Sequence, residues 1–132
     1  MSNKHRFDVA VVGGGPAGIA AAASAAESGL HVGIVDENPS AGGEVWHGKQ
    51  AQPRGGQAAV WLQKLRDTQV QFLGGAGVIG QPGERVLLAE MFGGLHSIAF
   101  EKLILATGAR ERFLPFPGWT LPNVMGAGGL QA

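Results

Sequence analysis

The chain has 132 residues, with ten Lys and Arg against ten Asp and Glu, and charged residues make up only 15% of it. That length suits one globular domain with a real core, and a formal net charge of zero excludes the basic face that sequence-independent nucleic-acid binding requires. Cysteine is absent, which excludes a disulfide framework, a thiolate metal site and a redox-active cysteine pair, while 23 glycines imply many turns and close backbone approaches.

The first predicted strand covers residues 7–12, apolar apart from Asp8. Such a run suits a strand buried on both faces of a parallel sheet. It ends in Gly13-Gly14-Gly15-Pro16-Ala17-Gly18 and opens a helix over 17–28. Pro16 sits in the first turn, where a missing N–H costs nothing, and Gly29 sits where a left-handed cap belongs. A second strand over 31–35 runs into Asp36-Glu37. This strand–helix–strand unit of about 30 residues has the size of a right-handed parallel crossover.

A Gly- and Pro-rich loop over 38–56 leads to a second helix over 57–68, whose Ala58, Trp61, Leu62 and Leu65 share one face. A short strand over 70–73 follows. Strands over 77–80, 85–91 and 95–100 are separated by the turn signals Pro82-Gly83 and Gly93-Gly94 and read as an antiparallel meander. Residues 103–106 form a further parallel strand ending in Thr107-Gly108, and Pro115, Pro117 and Pro122 mark 113–132 as an extended connector. The expected fold class is α/β: a Rossmann-like parallel sheet with a βαβ dinucleotide-binding unit and an antiparallel β-meander. No run approaches the roughly 18 apolar residues of a membrane span. The N-terminus, interrupted by Asp8 and three glycines, is no signal peptide, and the expected location is the cytoplasm.

The spacing Gly13-x-Gly15-x-x-Gly18 carries the chemistry, because it follows a strand and opens a helix. Gly13 allows the tight turn, Gly15 leaves room for a pyrophosphate, and Gly18 lets the helix pack against the strand. The helix N-terminus favours an anion. Asp36 stands 23 residues after Gly13, where an acid can accept bonds from ribose hydroxyls, with Glu37 as the adjacent alternative. A carboxylate there repels a 2′-phosphate, which argues against NADP. These residues indicate a dinucleotide and leave NAD and FAD both open.

Gly13–Gly18, Asp36-Glu37, Gly42-Gly43 and LILATGA ending at Ala109 together resemble the FAD domain of two-dinucleotide-binding flavoproteins of the pyridine nucleotide-disulfide oxidoreductase superfamily. The fragments VDENPSAGGE (from Val35) and ATGARERFLPFPGWTLPNVMGAGGLQ (from Ala106) are similar to the flavoprotein subunits of opine oxidase, hydrogen cyanide synthase and sarcosine or proline dehydrogenase complexes. The resemblance implies FAD as cofactor. It implies that Gly13, Gly15, Pro16, Ala17 and Gly18 hold the pyrophosphate, and that Asp36 with Glu37 holds the adenosine ribose. Gly42 and Gly43 would approach from the other side, Val78 would offer backbone groups to the adenine, and Ala106, Thr107 and Gly108 would cross the dinucleotide again. Trp46 and His47 stand where the family places an aromatic and a basic residue near the flavin.

The implied reaction is dehydrogenation of a C–N bond in an amine, opine or amino-acid-like substrate, with hydride passing to the flavin. A hetero-oligomer with other oxidase subunits is expected. The family fold also continues into an NAD-like domain and a returning strand ending in Gly-Asp. Residues 1–112 are therefore expected to be the N-terminal portion of an incomplete FAD-binding domain. Alternatives are a catalytically inactive nucleotide-binding or assembly module and a simple NAD-dependent dehydrogenase. No catalytic residue is assigned. His5, His31, His47 and His96 do not cluster in the sequence, so no metal is expected; His96 reads as hairpin decoration. Arg110, Glu111 and Arg112 read as a salt-bridged turn, with Arg110 near the cofactor as the sharper alternative.

Overall fold

The computed structural model describes residues 3–46, 56–110 and 112–131. In chain order they form β1 (Asn3–Val12), α1 (Pro16–Glu27), β2 (Val32–Asp36), α2 (Gln57–Asp67), β3 (Gln71–Gly74), β4 (Gly77–Gly83), β5 (Val86–Met91), β6 (Gly94–Leu105) and α3 (Ala127–Gln131). The strands make one six-stranded sheet in the order β3-β2-β1-β6-β5-β4. Pairings β3–β2, β2–β1 and β1–β6 are parallel, and β6–β5 and β5–β4 are antiparallel. The expected α/β architecture, with a βαβ unit and a meander, is the one observed.

Two cores hold the sheet. Val9 and Val11 of β1 and Val32 and Ile34 of β2 face α1 and pack with Ala22, Ala25 and Ala26 and with Leu65 of α2. The alanines let α1 lie close to the strands. On the opposite face, Ala10, Val35 and Leu73 share a core with Leu87, Ala89 and Ile98 of the meander. The sheet therefore curls until its antiparallel half covers the face that the helices leave open. Within β1–β2, Phe7 is 1% exposed, and a Cβ at Gly33 would stand 2.3 Å from its ring. Gly33 is the notch that receives Phe7.

Three strands are longer than the sequence indicates. β4 runs on to Gly83 through the expected Pro82-Gly83 turn, and the chain reverses at Glu84-Arg85 instead. The expected strands over 95–100 and 103–106 are one strand, β6, which pairs antiparallel with β5 on one edge and parallel with β1 on the other. The exposed Glu101-Lys102 pair resembles a break in the apolar pattern, but the β1 register runs unshifted across it, from the Phe7 and Phe100 pair to the Val9 and Lys102 pair. β1 starts at Asn3 rather than residue 7, because Asn3–Phe7 pair with His96–Phe100. The histidines also depart from expectation. His96 is 7% exposed, and its Nδ1 lies 2.9 Å from Nε2 of His5. Asn3 Nδ2 lies 3.3 Å from His96 Nε2, so both ring nitrogens of His96 have a polar neighbour.

Past Leu105 the described residues form no helix or strand until α3, and Phe113, Leu114, Phe116 and Leu121 are exposed.

Candidate dinucleotide-binding site

Strand β1 has β2 on one side and β6 on the other. Their carboxyl ends form a topological switch point, the usual ligand crevice of a doubly wound sheet. The Gly-rich turn fills the carboxyl end of β1, and the carboxyl end of β6 runs directly over it. Gly13 has φ +107, and a Cβ there would stand 2.1 Å from the Ala106 carbonyl oxygen and 3.1 Å from the Thr107 Cα. The Ala106 N–H donates to the Val12 carbonyl at 2.8 Å, and the Gly13 N–H donates to that of Val35 at 2.9 Å. The turn is thus fastened to both neighbouring strands. Thr107 and Gly108 continue exposed along the rim, Gly108 at φ +70.

The helix side is equally tight. A Cβ at Gly18 would stand 1.8 Å from the Gly13 carbonyl oxygen. Gly15 is the N-cap of α1, with no side-chain cap and no acidic residue in the first turn. The first-turn N–H groups of Ala17 and Gly18 lack intrahelical partners, and Pro16 has none to satisfy. Gly15 differs from its neighbours: nothing lies within 4 Å of where its Cβ would be. The protein's own packing does not require a glycine there, whereas a phosphate approaching the helix N-terminus does.

The Gly42-Gly43 segment closes the other side. The Gly42 N–H donates to the Gly14 carbonyl at 2.7 Å, and a Cβ at Gly43 would stand 2.9 Å from the Gly15 Cα. Two glycine pairs from distant parts of the loop structure therefore face each other.

The two acids at the end of β2 differ. Asp36 is buried at 9% exposure. Its Oδ2 accepts from the Gly14 N–H and its Oδ1 accepts from the Asn38 N–H at 2.6 Å. Glu37 is exposed, and its Oε2 takes Nη2 of Arg110 at 2.5 Å. Val78, half-buried on the meander core, lies beside this corner: a Cβ at its neighbour Gly77 would stand 3.9 Å from the Glu37 Cγ, and the Ala76 N–H donates to the Asp36 carbonyl at 2.8 Å.

The glycine turn, Asp36, Gly42-Gly43 and the Ala106 crossing thus meet at one rim of the sheet, with Glu37 next to Asp36 and Val78 next to Gly77. Two contributors escaped the motif. Gly14 occupies an unspecified position, yet a Cβ there would stand 2.9 Å from the Phe72 ring and 3.0 Å from Asp36 Oδ2. Phe72 itself backs the turn from β3, and its place at a strand end gives no sequence signal. His47 and Glu111 lie outside the described residues.

The family model for pyridine nucleotide-disulphide oxidoreductases matches residues 7–129. The chain belongs to that family. FAD is the cofactor to which the family and its flavoprotein members point, and the open space over Gly15 and the uncapped helix N-terminus fit its pyrophosphate. Among relatives in the pyridine nucleotide-disulphide oxidoreductase family, the HcnB subunit of hydrogen cyanide synthase from Pseudomonas aeruginosa is 39% identical over 132 residues, which cover 92% of this chain. An opine oxidase subunit of Agrobacterium tumefaciens is 33% identical over 152 residues, covering 95% of this chain. The chain spans 28% of the length of each of these two relatives. The solved L-proline dehydrogenase of P. horikoshii superposes with a TM-score of 0.69 at 26% identity, over 86% of this chain and 25% of that one. No helix among the described residues is long and apolar enough to cross a membrane.

Proposed function

We propose that this chain is the FAD-binding portion of an oxidoreductase that dehydrogenates a C–N bond of an amine, opine or amino-acid-like substrate. The observation that carries the cofactor reading is the space over Gly15, bounded by Gly43 and the first turn of α1. The backbone of Gly13, Gly15, Ala17 and Gly18 holds the pyrophosphate, with Pro16 setting the first turn and Gly42-Gly43 forming the facing wall. Ala106, Thr107 and Gly108 bound the site from the β6 side. Asp36, with Glu37 beside it, accepts the adenosine ribose hydroxyls: each Asp36 oxygen takes one backbone N–H and keeps a lone pair for a further donor. Val78 borders the adenine. Bound FAD would supply the hydride acceptor, and this chain's part in the reaction is to hold and orient it.

The substrate class rests on the relatives. The opine oxidase and sarcosine oxidase subunits and L-proline dehydrogenase carry the names of secondary amines. Two of them, like HcnB, are named as subunits, which supports a hetero-oligomer. Residues 1–112 form the cofactor-binding unit in this reading, and 113–132, where Phe113, Leu114, Phe116 and Leu121 are exposed, is a connector leading from it.

Absorbance spectroscopy tests the cofactor: after incubation with FAD and desalting, the chain is expected to retain a flavin spectrum. No retained flavin, or tighter binding of NAD than of FAD, overturns it. The substrate class is tested by anaerobic mixing of the protein purified from its source, with the subunits that accompany it, against sarcosine, proline and opines. Bleaching of the flavin by at least one of them is expected, and no bleaching by any of them rejects C–N dehydrogenation.

A further inference from the structure

Strands β2 and β3 pair in parallel, with Ile34 opposite Phe72 and Asp36 opposite Gly74. Phe72 and Asp36 are therefore diagonal neighbours on one face of the sheet, a separation that an aromatic side chain can bridge. Gly74 puts no side chain opposite Asp36, and the Phe72 ring leans into that place: a Cβ at Gly74 would stand 2.8 Å from Phe72 Cε1. The other edge of the ring meets the Gly-rich turn. A Cβ at Gly14 would stand 2.9 Å from Phe72 Cε2 and 3.0 Å from Asp36 Oδ2, so ring and carboxylate flank the same point. Phe72 is half-buried against the core beneath α1, which fixes the ring from below. β3 is an edge strand, and an aromatic ring over an edge glycine closes a gap that would otherwise admit water.

We propose that Phe72 is a positioning residue for the adenosine ribose: by filling the place opposite Asp36 it holds the carboxylate against the Gly14 N–H in the orientation that receives the ribose hydroxyls. This rests on the FAD reading given above, in which Asp36 accepts those hydroxyls, and it assigns to Phe72 no contact with the cofactor. The turn itself does not depend on the ring. The Gly13 N–H is bonded to the Val35 carbonyl, the Gly42 N–H to that of Gly14 and the Ala106 N–H to that of Val12. The Asp36 side chain has two backbone N–H partners, Gly14 and Asn38, and a carboxylate with open space on its β3 side can turn about its side-chain torsions. Loss of the ring therefore loosens the ribose end of the site before the pyrophosphate end.

The test compares two ligands on the 132-residue chain, read by flavin fluorescence: FAD, and its analogue built on 2′,3′-dideoxyadenosine, which has no ribose hydroxyl for Asp36 to accept. Phe72→Leu is expected to weaken FAD binding about three- to tenfold and to change binding of the analogue less than about twofold, because the ring acts through the carboxylate. Phe72→Met, which keeps more of the side-chain length, is expected to show the same selective loss. A merely structural defect would lower the affinity for both ligands alike, since each titration samples the same folded protein. Equal losses for the two ligands would therefore overturn the proposal, and so would unchanged FAD binding in both variants. Two results on the unsubstituted chain bear on the reading beneath it. Equal affinity for FAD and the analogue would remove Asp36 as the ribose acceptor, and no binding of either would remove the FAD site; each would take the role of Phe72 with it.

Discussion

Of four glycines within six positions, three meet different neighbours and one meets none, and substitution separates their roles. A Cβ at Gly18 would collide with the Gly13 carbonyl, whereas one at Gly15 meets nothing in the protein. Gly18→Ala is expected to cost about 3 kcal/mol of stability. Gly15→Val is expected to leave the cofactor-free melting temperature nearly unchanged while abolishing FAD binding. Thermal melts and FAD titrations on the two variants check this, and a destabilised Gly15→Val or a cofactor-competent one would contradict it. The glycine spacing was legible in the sequence because it is tied to a strand and a helix. Which acid turns inward was not. Asp36 and Glu37 are adjacent, and neighbouring residues at a strand end point to opposite faces, so their roles depend on which face meets the turn. The approach of Gly42-Gly43 from the other side was implied by resemblance rather than by any pattern in the residues themselves, and the Gly42 bond to the Gly14 carbonyl is visible only in the structure.

At the scale of elements, βαβ and the meander were readable because their strands are apolar or bounded by turn residues. The amino-terminal half of β1 was not, since Asn3, Lys4 and Arg6 are polar and exposed and are strand only because β6 lies beside them. The His5–His96 contact tightens that half, and it gives the pairing a pH dependence. Burial, and secondarily the nearby His96, lower the His5 pKa from its ordinary value of 6.5. Below pH 6.5 the unfolded chain then binds more protons at this site than the folded one, so the contribution of His5 is complete above that pH and declines as pH falls through it. The melting-temperature advantage of the parent chain over His5→Gln is expected to shrink between pH 7.5 and 5.5. An advantage that grows on acidification would refute the assignment.

For the whole molecule, cofactor and fold are coupled because the site is made from β1, α1, the loop after β2, and β6 together. FAD at a hundred times its Kd is expected to stabilise the chain by about 2.7 kcal/mol, raising the melting temperature by about 10 °C for a domain of this size. Differential scanning fluorimetry with and without FAD reads this, and no shift at saturation would mean that the rim is not a formed pocket. The central pairing of the sheet adds a temporal consequence. Every β1–β6 partnership joins residues 93 positions apart, and long loops must close before such contacts can form. A growing polypeptide therefore carries its glycine motif through 93 further residues before β6 can lie beside it. The motif precedes the crevice it serves, and the nucleotide meets a finished strand order rather than an emerging chain.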